Sequence, residues 1–262
     1  MLSKNSIKYI NSLKIKKYRQ LHNVFIAEGE KIVAELLSGT SQLIAIYATE
    51  AWIRENQPGL SGITAEVSVV TEEELEKISD LSTPNKVLAL VHLPDQPELQ
   101  QDDFSEMMLA LDGIRDPGNM GTILRTADWF GIRNVACSID CVDVYNTKVI
   151  QSTMGSFTRV NVVYIDLKSL IEIAGPNTPI YGALLNGPSL TDKKFQKAGI
   201  LMIGNESKGI SPELISLITD PIFIPSFTPS VSKSYHAESL NASIANAIIC
   251  YEISKQLSEN KF

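Results

Sequence analysis

The sequence predicts an α/β protein of two domains, and three observations carry that expectation. Strand-like and helix-like segments alternate along most of the chain. A polar stretch with two prolines, Pro94 to Glu106, shows no apolar period. The segment Leu109 to Ile132, LALDGIRDPGNMGTILRTADWFGI, reads as a strand, a glycine-bearing loop and a helix. With 262 residues, 44% of them hydrophobic, the chain can hold one large or two ordinary domains with real cores.

The first domain is placed at residues 1–95. From Ser6 to Tyr18, Ile7, Ile10, Leu13 and Ile15 recur near helical spacing with lysines between them, which predicts one basic amphipathic helix. A strand follows from Val24 to Ala27, then a turn at Gly29 and a helix with Ile32, Val33, Leu36 and Leu37 inward. LIAIYAT and EVSVVT read as strands around a polar helix from Ala51 to Asn56, and Thr71 with Glu74 forms a capping box that opens another helix. Val87 to Leu93 is continuously apolar, as in a strand covered on both faces. A small α/β/α unit results. The linker falls at residues 96–106, and the second domain at residues 107–262.

In that second domain a strand ends at Asp112, a loop holds Gly113, Pro117, Gly118 and Gly121, and a helix follows that Gly131 closes at its C′ position. NVACSI is the next strand and VYNTKVIQSTMGSF a helix with a glycine break. VNVVYI is a strand, LKSLIEIA a helix, PIYGALL a strand running to Leu185, and ILMIG another strand. Ser211 and Pro212 open the helix PELISLI; FIPS leads into an irregular stretch, and the last helix spans about Leu240 to Leu257. This pattern predicts a mostly parallel sheet with helices on both faces and binding at the C-terminal strand ends.

The glycine loop excludes two familiar nucleotide sites. Gly118 and Gly121 give GxxG, not GxGxxG, and no GxxxxGK[ST] occurs. What remains is Asn119 at the loop's end and Arg125 farther into the helix. Met120, Ile123, Leu124 and Ala127 form an apolar stripe, and at about 100° per residue Arg125 points roughly 140° away from it, free to face a site. The same residues also fit a plainer account, with Asn119 as an N-cap and Arg125 as a solvated charge stacked on Trp129.

The net charge of −7 speaks against a polyanionic partner, but its distribution speaks for one. Met1 to His22 carries Lys4, Lys8, Lys14, Lys16, Lys17 and Arg19 and no acid, which suits RNA phosphates and equally a solvated helix face. Cys137, Cys141 and Cys250 are odd in number and lack the histidine spacing of a zinc site, so they read as idle thiols in a reducing compartment. With no signal-like h-region and no apolar run of the roughly 18 residues that a membrane span needs, the expectation is a cytoplasmic protein without membrane or metal partners.

Two later stretches sharpen this reading: LMIGNESKGIS, Leu201 to Ser211, and ESLNASIANAIICYE, Glu238 to Glu252. With NMGTILR they resemble, in order and spacing, the three signature motifs of the SpoU (TrmH-like) RNA ribose 2′-O-methyltransferases of the SPOUT superfamily. KYRQLHNVFIAEGEKIVAELL and STPNKVLALV resemble the L30e-like substrate-binding domain that precedes many of these enzymes, with Arg19, Glu28 and Gly29 where the family has an Arg followed by an EG pair. Glu28 is assigned no chemistry.

The resemblance implies a trefoil-knotted SPOUT domain, a homodimer, and S-adenosylmethionine as cofactor. Carried onto matching positions, it implies cofactor contacts at Gly204, Ile224, Leu240 and Asn241. From the residues alone, Gly204 and Ile224 are a strand-end glycine and a core strand residue. Arg125 matches the family's catalytic arginine, acting on the 2′-hydroxyl or its phosphate; a guanidinium is a poor base, which favours electrostatic stabilisation. Asn119 would orient Arg125 or the ribose, Glu206 would fix the arginine or a partner, and Ser239 and Asn241 would close the site where the last helix starts, N-capping being their plainer role. Lys14, Lys16, Lys17 and Arg19 are the candidate RNA contacts. The N-terminal domain favours ribosomal RNA over tRNA by analogy; a tRNA 2′-O-methyltransferase and a non-catalytic RNA-binding assembly factor are the alternatives. The chain departs from the family between Pro225 and Glu238, where SFTPSVSKSYHA is longer and lacks a glycine; His236 within it reads as a surface histidine.

Overall fold

A computed structural model of the chain describes residues 1–96, 98–227 and 239–259. The elements of its first part are α1 Lys4–Ser12, α2 Lys16–His22, β1 Val24–Glu28, α3 Glu30–Ser38, β2 Leu43–Ala48 and α4 Glu50–Glu55. Then come α5 Gln57–Leu60, β3 Glu66–Val69, α6 Glu72–Ile78 and β4 Val87–His92. The second part runs β5 Met107–Leu111, α7 Pro117–Trp129, β6 Asn134–Cys137, α8 Thr147–Thr153, β7 Asn161–Tyr164 and α9 Leu167–Ala174. It ends with β8 Ile180–Ala183, β9 Gly199–Ile203, α10 Pro212–Ile215, β10 Asp220–Ile222 and α11 Ala242–Glu259. Contacts divide the chain into two compact units, Met1–Asp95 with Asp143–Arg159, and Gln96–Val142 with Val160–Phe262.

The first unit is built on a four-stranded sheet, β1-β4-β2-β3, in which β4 runs antiparallel to β1 and β2 while β3 runs parallel to β2. Alternation along β4 divides the core into two clusters. Val87, Ala89 and Val91 pack with Ile32, Val33 and Leu36 of α3 and with Trp52; Leu88 and Leu90 pack with Ile10, Leu13, Leu75 and Ile78. The capping box at Thr71 and Glu74 forms as expected. The helix Thr147–Thr153 counts with this unit: Ile150 joins the α3 cluster, and Gln151 Nε2 donates to the Glu28 carbonyl at 2.5 Å.

The single helix expected from Ser6 to Tyr18 is two helices. The chain breaks at Leu13–Ile15, which buries Leu13 and leaves Ile15 exposed, contrary to the inward placement its spacing suggested. Arg19 explains the break. Its Nη1 donates to the carbonyls of Leu13 and Lys14, each at 3.0 Å, and so satisfies acceptors freed where α1 ends.

The second unit carries a six-stranded sheet, β10-β8-β9-β5-β6-β7, parallel throughout. Central β5 is buried along its whole length, and Met108 and Ala110 pack with Ile200, Met202, and Leu167 and Leu170 of α9. Helices α7 and α11 pack against each other. Since all strands run one way, their C-terminal ends share one edge. Strand β8 stops at Ala183, short of the expected Leu185, whose side chain is exposed.

The glycine loop is shorter than its glycines suggest. Asp116 is the N-cap, its Oδ1 accepting the Asn119 N–H at 2.8 Å, and Pro117 stands at the first helical position. Gly118, Asn119 and Gly121 therefore lie inside α7, and Asn119 is not the cap. Gly131, at φ +73°, closes α7 as expected: its N–H returns to Asp128 and that of Ile132 to Ala127, the paired bonds of a Schellman turn.

Candidate active site

The parallel strand ends build the site. The N–H of Asp112 donates to the Ile203 carbonyl at 2.9 Å, extending the β5–β9 ladder, while its buried carboxylate accepts the Ser211 N–H at 2.6 Å. Gly113 follows at φ +67°; its N–H donates to Ser138 Oγ at 2.9 Å, and its carbonyl accepts from Asn205 Nδ2 at 2.6 Å. Asn205 thus latches the loop after β9 to the loop after β5. Its residue type is the signal for this role, since an Asn beside the motif glutamate readily bonds neighbouring backbone.

Gly204 holds that loop closed. A Cβ there would fall well under 3.0 Å from backbone atoms of Gly209 and Ile210, so only glycine admits this approach. Asn205 and Gly209 exchange backbone hydrogen bonds of 3.0 and 2.8 Å, and Asn205 Oδ1 accepts from the N–H groups of Ser207 and Lys208. Glu206 is thereby presented half-buried toward α7.

Three of the expected residues meet through one amide. Asn119 Nδ2 donates to Glu206 Oε1 at 2.6 Å, and Asn119 Oδ1 accepts from Asn241 Nδ2 at 3.0 Å. A carboxylate only accepts, so the Asn119 amide has one orientation here. Asn241 also caps α11, its Oδ1 taking the N–H and hydroxyl of Ser243 at 2.9 and 2.7 Å. Capping and site assembly are one geometry. Glu206 holds Asn119 and not Arg125; Arg125 is exposed on α7 with no polar partner among the described residues. Trp129, beyond it on α7, is 84% exposed. Ser239 is exposed and makes no hydrogen bond among the described residues. His236 and most of the long loop after Pro225 lie outside the described residues.

S-adenosylmethionine fits what remains at this edge. Gly204 follows β9 and Ile224 follows β10, with β8 between them, so their backbones stand roughly 10 Å apart, a span suited to an adenosyl group. Leu240, 47% exposed next to Asn241, supplies an apolar surface. The tight loop Gly204–Gly209 holds one base, Lys208, and not the cluster of bases that a triphosphate would call for.

The candidate RNA contacts lie in the first unit and divide. Arg19 is 2% exposed; besides the two carbonyls it pairs with Asp143, Nη2 to Oδ2 at 2.5 Å, so it is a buried strut and cannot reach a phosphate. Its position in a basic run concealed this. Lys14 Nζ donates to the Ser79 carbonyl at 2.6 Å and lies 3.9 Å from Asp80. Lys16 and Lys17 are exposed.

The parallel sheet and the linked motif loops define an α/β enzyme site of the SpoU type, and the chain belongs to the SpoU rRNA methylase family, whose model matches residues 106–251. Residues 4–89 match the model of an MRM3-like substrate binding domain. The 23S rRNA (guanosine(2553)-2′-O)-methyltransferase RlmP of Bacillus subtilis is 27% identical over 94% of this chain and 95% of its own length. A solved structure from Porphyromonas gingivalis assigned to the TrmH family of RNA methyltransferases is 38% identical, with a TM-score of 0.85 covering 98% of this chain and 99% of that one. The AdoMet-bound rRNA methyltransferase from Sinorhizobium meliloti is 25% identical, with a TM-score of 0.82 over 98% and 97%.

Proposed function

We propose that the protein transfers a methyl group from S-adenosylmethionine to a ribose 2′-hydroxyl of ribosomal RNA. The observation that carries this is the Glu206–Asn119–Asn241 chain of hydrogen bonds, which joins three motif segments, with Arg125 exposed on α7 and without a polar partner among the described residues. Family membership and the RlmP and S. meliloti relatives support the reaction and the RNA class.

The bound cofactor supplies an electrophilic methyl. This chain's residues do the remaining work. Arg125 stabilises negative charge developing on the 2′-oxygen, or grips the adjoining phosphate, with donors that a buried partner would otherwise occupy. Asn119, fixed between Glu206 and Asn241, holds the ribose against α7. Gly204, Ile224, Leu240 and Asn241 would hold the cofactor, and Ser239 would close the site at the start of the last helix. Lys16 and Lys17, with Lys14 behind them, attract the RNA backbone.

Assembly as a homodimer belongs to the same proposal. Ile244, Ile248 and Tyr251 repeat at helical spacing as an exposed stripe on α11, and Trp129 is exposed on α7. The trefoil knot and a cytoplasmic location complete it, supported by the family and by three buried free cysteines. The test is transfer of labelled methyl from S-adenosylmethionine to total RNA from a strain lacking this gene. Label in ribosomal RNA supports the reading; cofactor binding without transfer to any RNA or ribosomal particle overturns it.

A further inference from the structure

A cavity of about 270 Å³ lies in the first unit, where Ile26 and Glu28 of β1, Asp80 to Ser82 after α6, and Lys148 and Gln151 of α8 converge. Its size is just below the roughly 300 Å³ at which pockets for drug-sized ligands begin, which leaves room for one flat heterocycle. Ile26 and Leu81 give it apolar sides, and its polar wall sets the carboxylates of Glu28 and Asp80 among Lys148, Gln151 and three hydroxyls.

That wall has unused capacity in two places. Glu28, 5% exposed, takes the Ser79 hydroxyl at 2.5 Å and the Asn85 N–H at 3.5 Å on Oε1, but only the Asp80 N–H, at 3.3 Å, on Oε2. A carboxylate oxygen has two lone pairs, so Oε2 retains one. Asp80 Oδ2 takes the Thr147 hydroxyl, while among the described residues Oδ1 has only Lys14 Nζ, at 3.9 Å. Lys148 Nζ, on the cavity's rim, has no acceptor among the described residues. The ligand that satisfies this arrangement is planar, carries N–H donors on one edge and bears an anionic group near Lys148.

We infer that this cavity receives one unpaired nucleobase of the substrate RNA, of the kind that carries an exocyclic amino group, with its phosphate on Lys148. The inference rests on the RNA reading above and assigns to the first unit a base-selective contact separate from the methyl-transfer site. An amino group's two hydrogens meet Glu28 Oε2 and Asp80 Oδ1, the latter ion-paired with Lys14 but not hydrogen-bonded to it, whereas the uracil O4 in the same position would oppose two carboxylates.

Hexamers of cytidine and of uridine, alike in size and charge, provide the test through fluorescence anisotropy with the full-length protein. The cytidine hexamer is expected to bind about tenfold tighter, the discrimination of one good base-edge contact. Filling the cavity by Ser82→Trp, or independently by Ser152→Trp, is expected to bring the two hexamers within about twofold of each other. Equal affinity in the unmodified protein, a preference that survives both tryptophans, or no binding of either hexamer overturns the inference. Label transfer to ribosomal RNA, measured on the same preparation, shows separately whether the RNA reading stands.

Discussion

Asn119 Nδ2 and Glu206 Oε1 stand 2.6 Å apart, joining the first turn of α7 to the loop after β9 across 87 positions of sequence. The bond fixes the amide on which Asn241 also depends. Glu206→Ala leaves that amide free to rotate. A hydrogen bond to a charged group is worth about 1.5–3 kcal/mol, so the methyl-transfer rate should fall roughly ten- to hundredfold. Single-turnover measurement should show Glu206→Gln, which keeps an acceptor oxygen, recovering much of that loss while cofactor affinity stays constant. Equal losses in the two variants would mean that charge, not orientation, is what Glu206 contributes.

Arg125 is exposed, and the hydrogen bonds that link Glu206, Asn119 and Asn241 do not include it. Arg125→Ala should therefore abolish methylation and leave the affinity for S-adenosylmethionine within a few-fold by titration calorimetry. Arg125→Lys should remain poorly active, because an ammonium lacks the planar donor fork. Loss of cofactor binding would instead make Arg125 a structural residue.

Much of this arrangement was legible in the sequence. The apolar stripe of α7, Met120, Ile123, Leu124 and Ala127, is buried as its spacing predicted, because helical period and burial are one constraint. The parallel sheet follows from alternating elements. What escaped depends on long-range partners. Nothing local shows that Arg19 turns inward to Asp143, 124 positions away, or that it ends α1 by capping Leu13 and Lys14. The helix start at Pro117 was hidden because Gly118 and Gly121 read as loop residues, whereas the Asp116 cap overrides their weak propensity. Gly204 was named a cofactor contact through the family resemblance alone; the physical reason for a glycine there, the approach of Gly209 and Ile210, appears only in three dimensions.

Gly204→Ala tests that approach. The added methyl meets backbone, not a side chain able to move aside, so the loop through Glu206 must shift, at a cost of roughly 1–3 kcal/mol or more. Thermal unfolding should come at lower temperature, and cofactor affinity should drop. A variant that melts and binds like the parent would show the loop to be slack.

Arg19 and Lys17 should separate stability from RNA affinity. Arg19→Ala leaves Asp143 and two carbonyls without their partner, and breaking a buried pair costs about 3–5 kcal/mol. Denaturant unfolding should register that loss. Lys17→Glu should leave unfolding unchanged while weakening RNA binding and flattening its salt dependence. RNA affinity lost with Arg19→Ala under conditions where the variant is fully folded would restore Arg19 as a contact.

Asp140 supplies a pH signature. The Ser138 hydroxyl, and then Arg115 at 2.7 Å, hold its carboxyl below the usual carboxylate range. A folded-state value lower than the unfolded one contributes stability that is present above the unfolded value and lost as pH falls through the folded one. The Asp140→Asn variant should thus be less stable than the parent at neutral pH, with the gap closing in acid; a gap that persists in acid would show that the carboxylate's charge is not its source.

Methylation of the 2′-oxygen with Arg125 as its aid is read out by alkaline hydrolysis of ribosomal RNA treated with S-adenosylmethionine and either the parent protein or Arg125→Ala, since a methylated 2′-oxygen cannot attack the neighbouring phosphate. One position newly resistant to cleavage with the parent, and none with the variant, is the expected result. Methyl transfer that leaves every ribose cleavable, with the label on a base instead, would contradict the account.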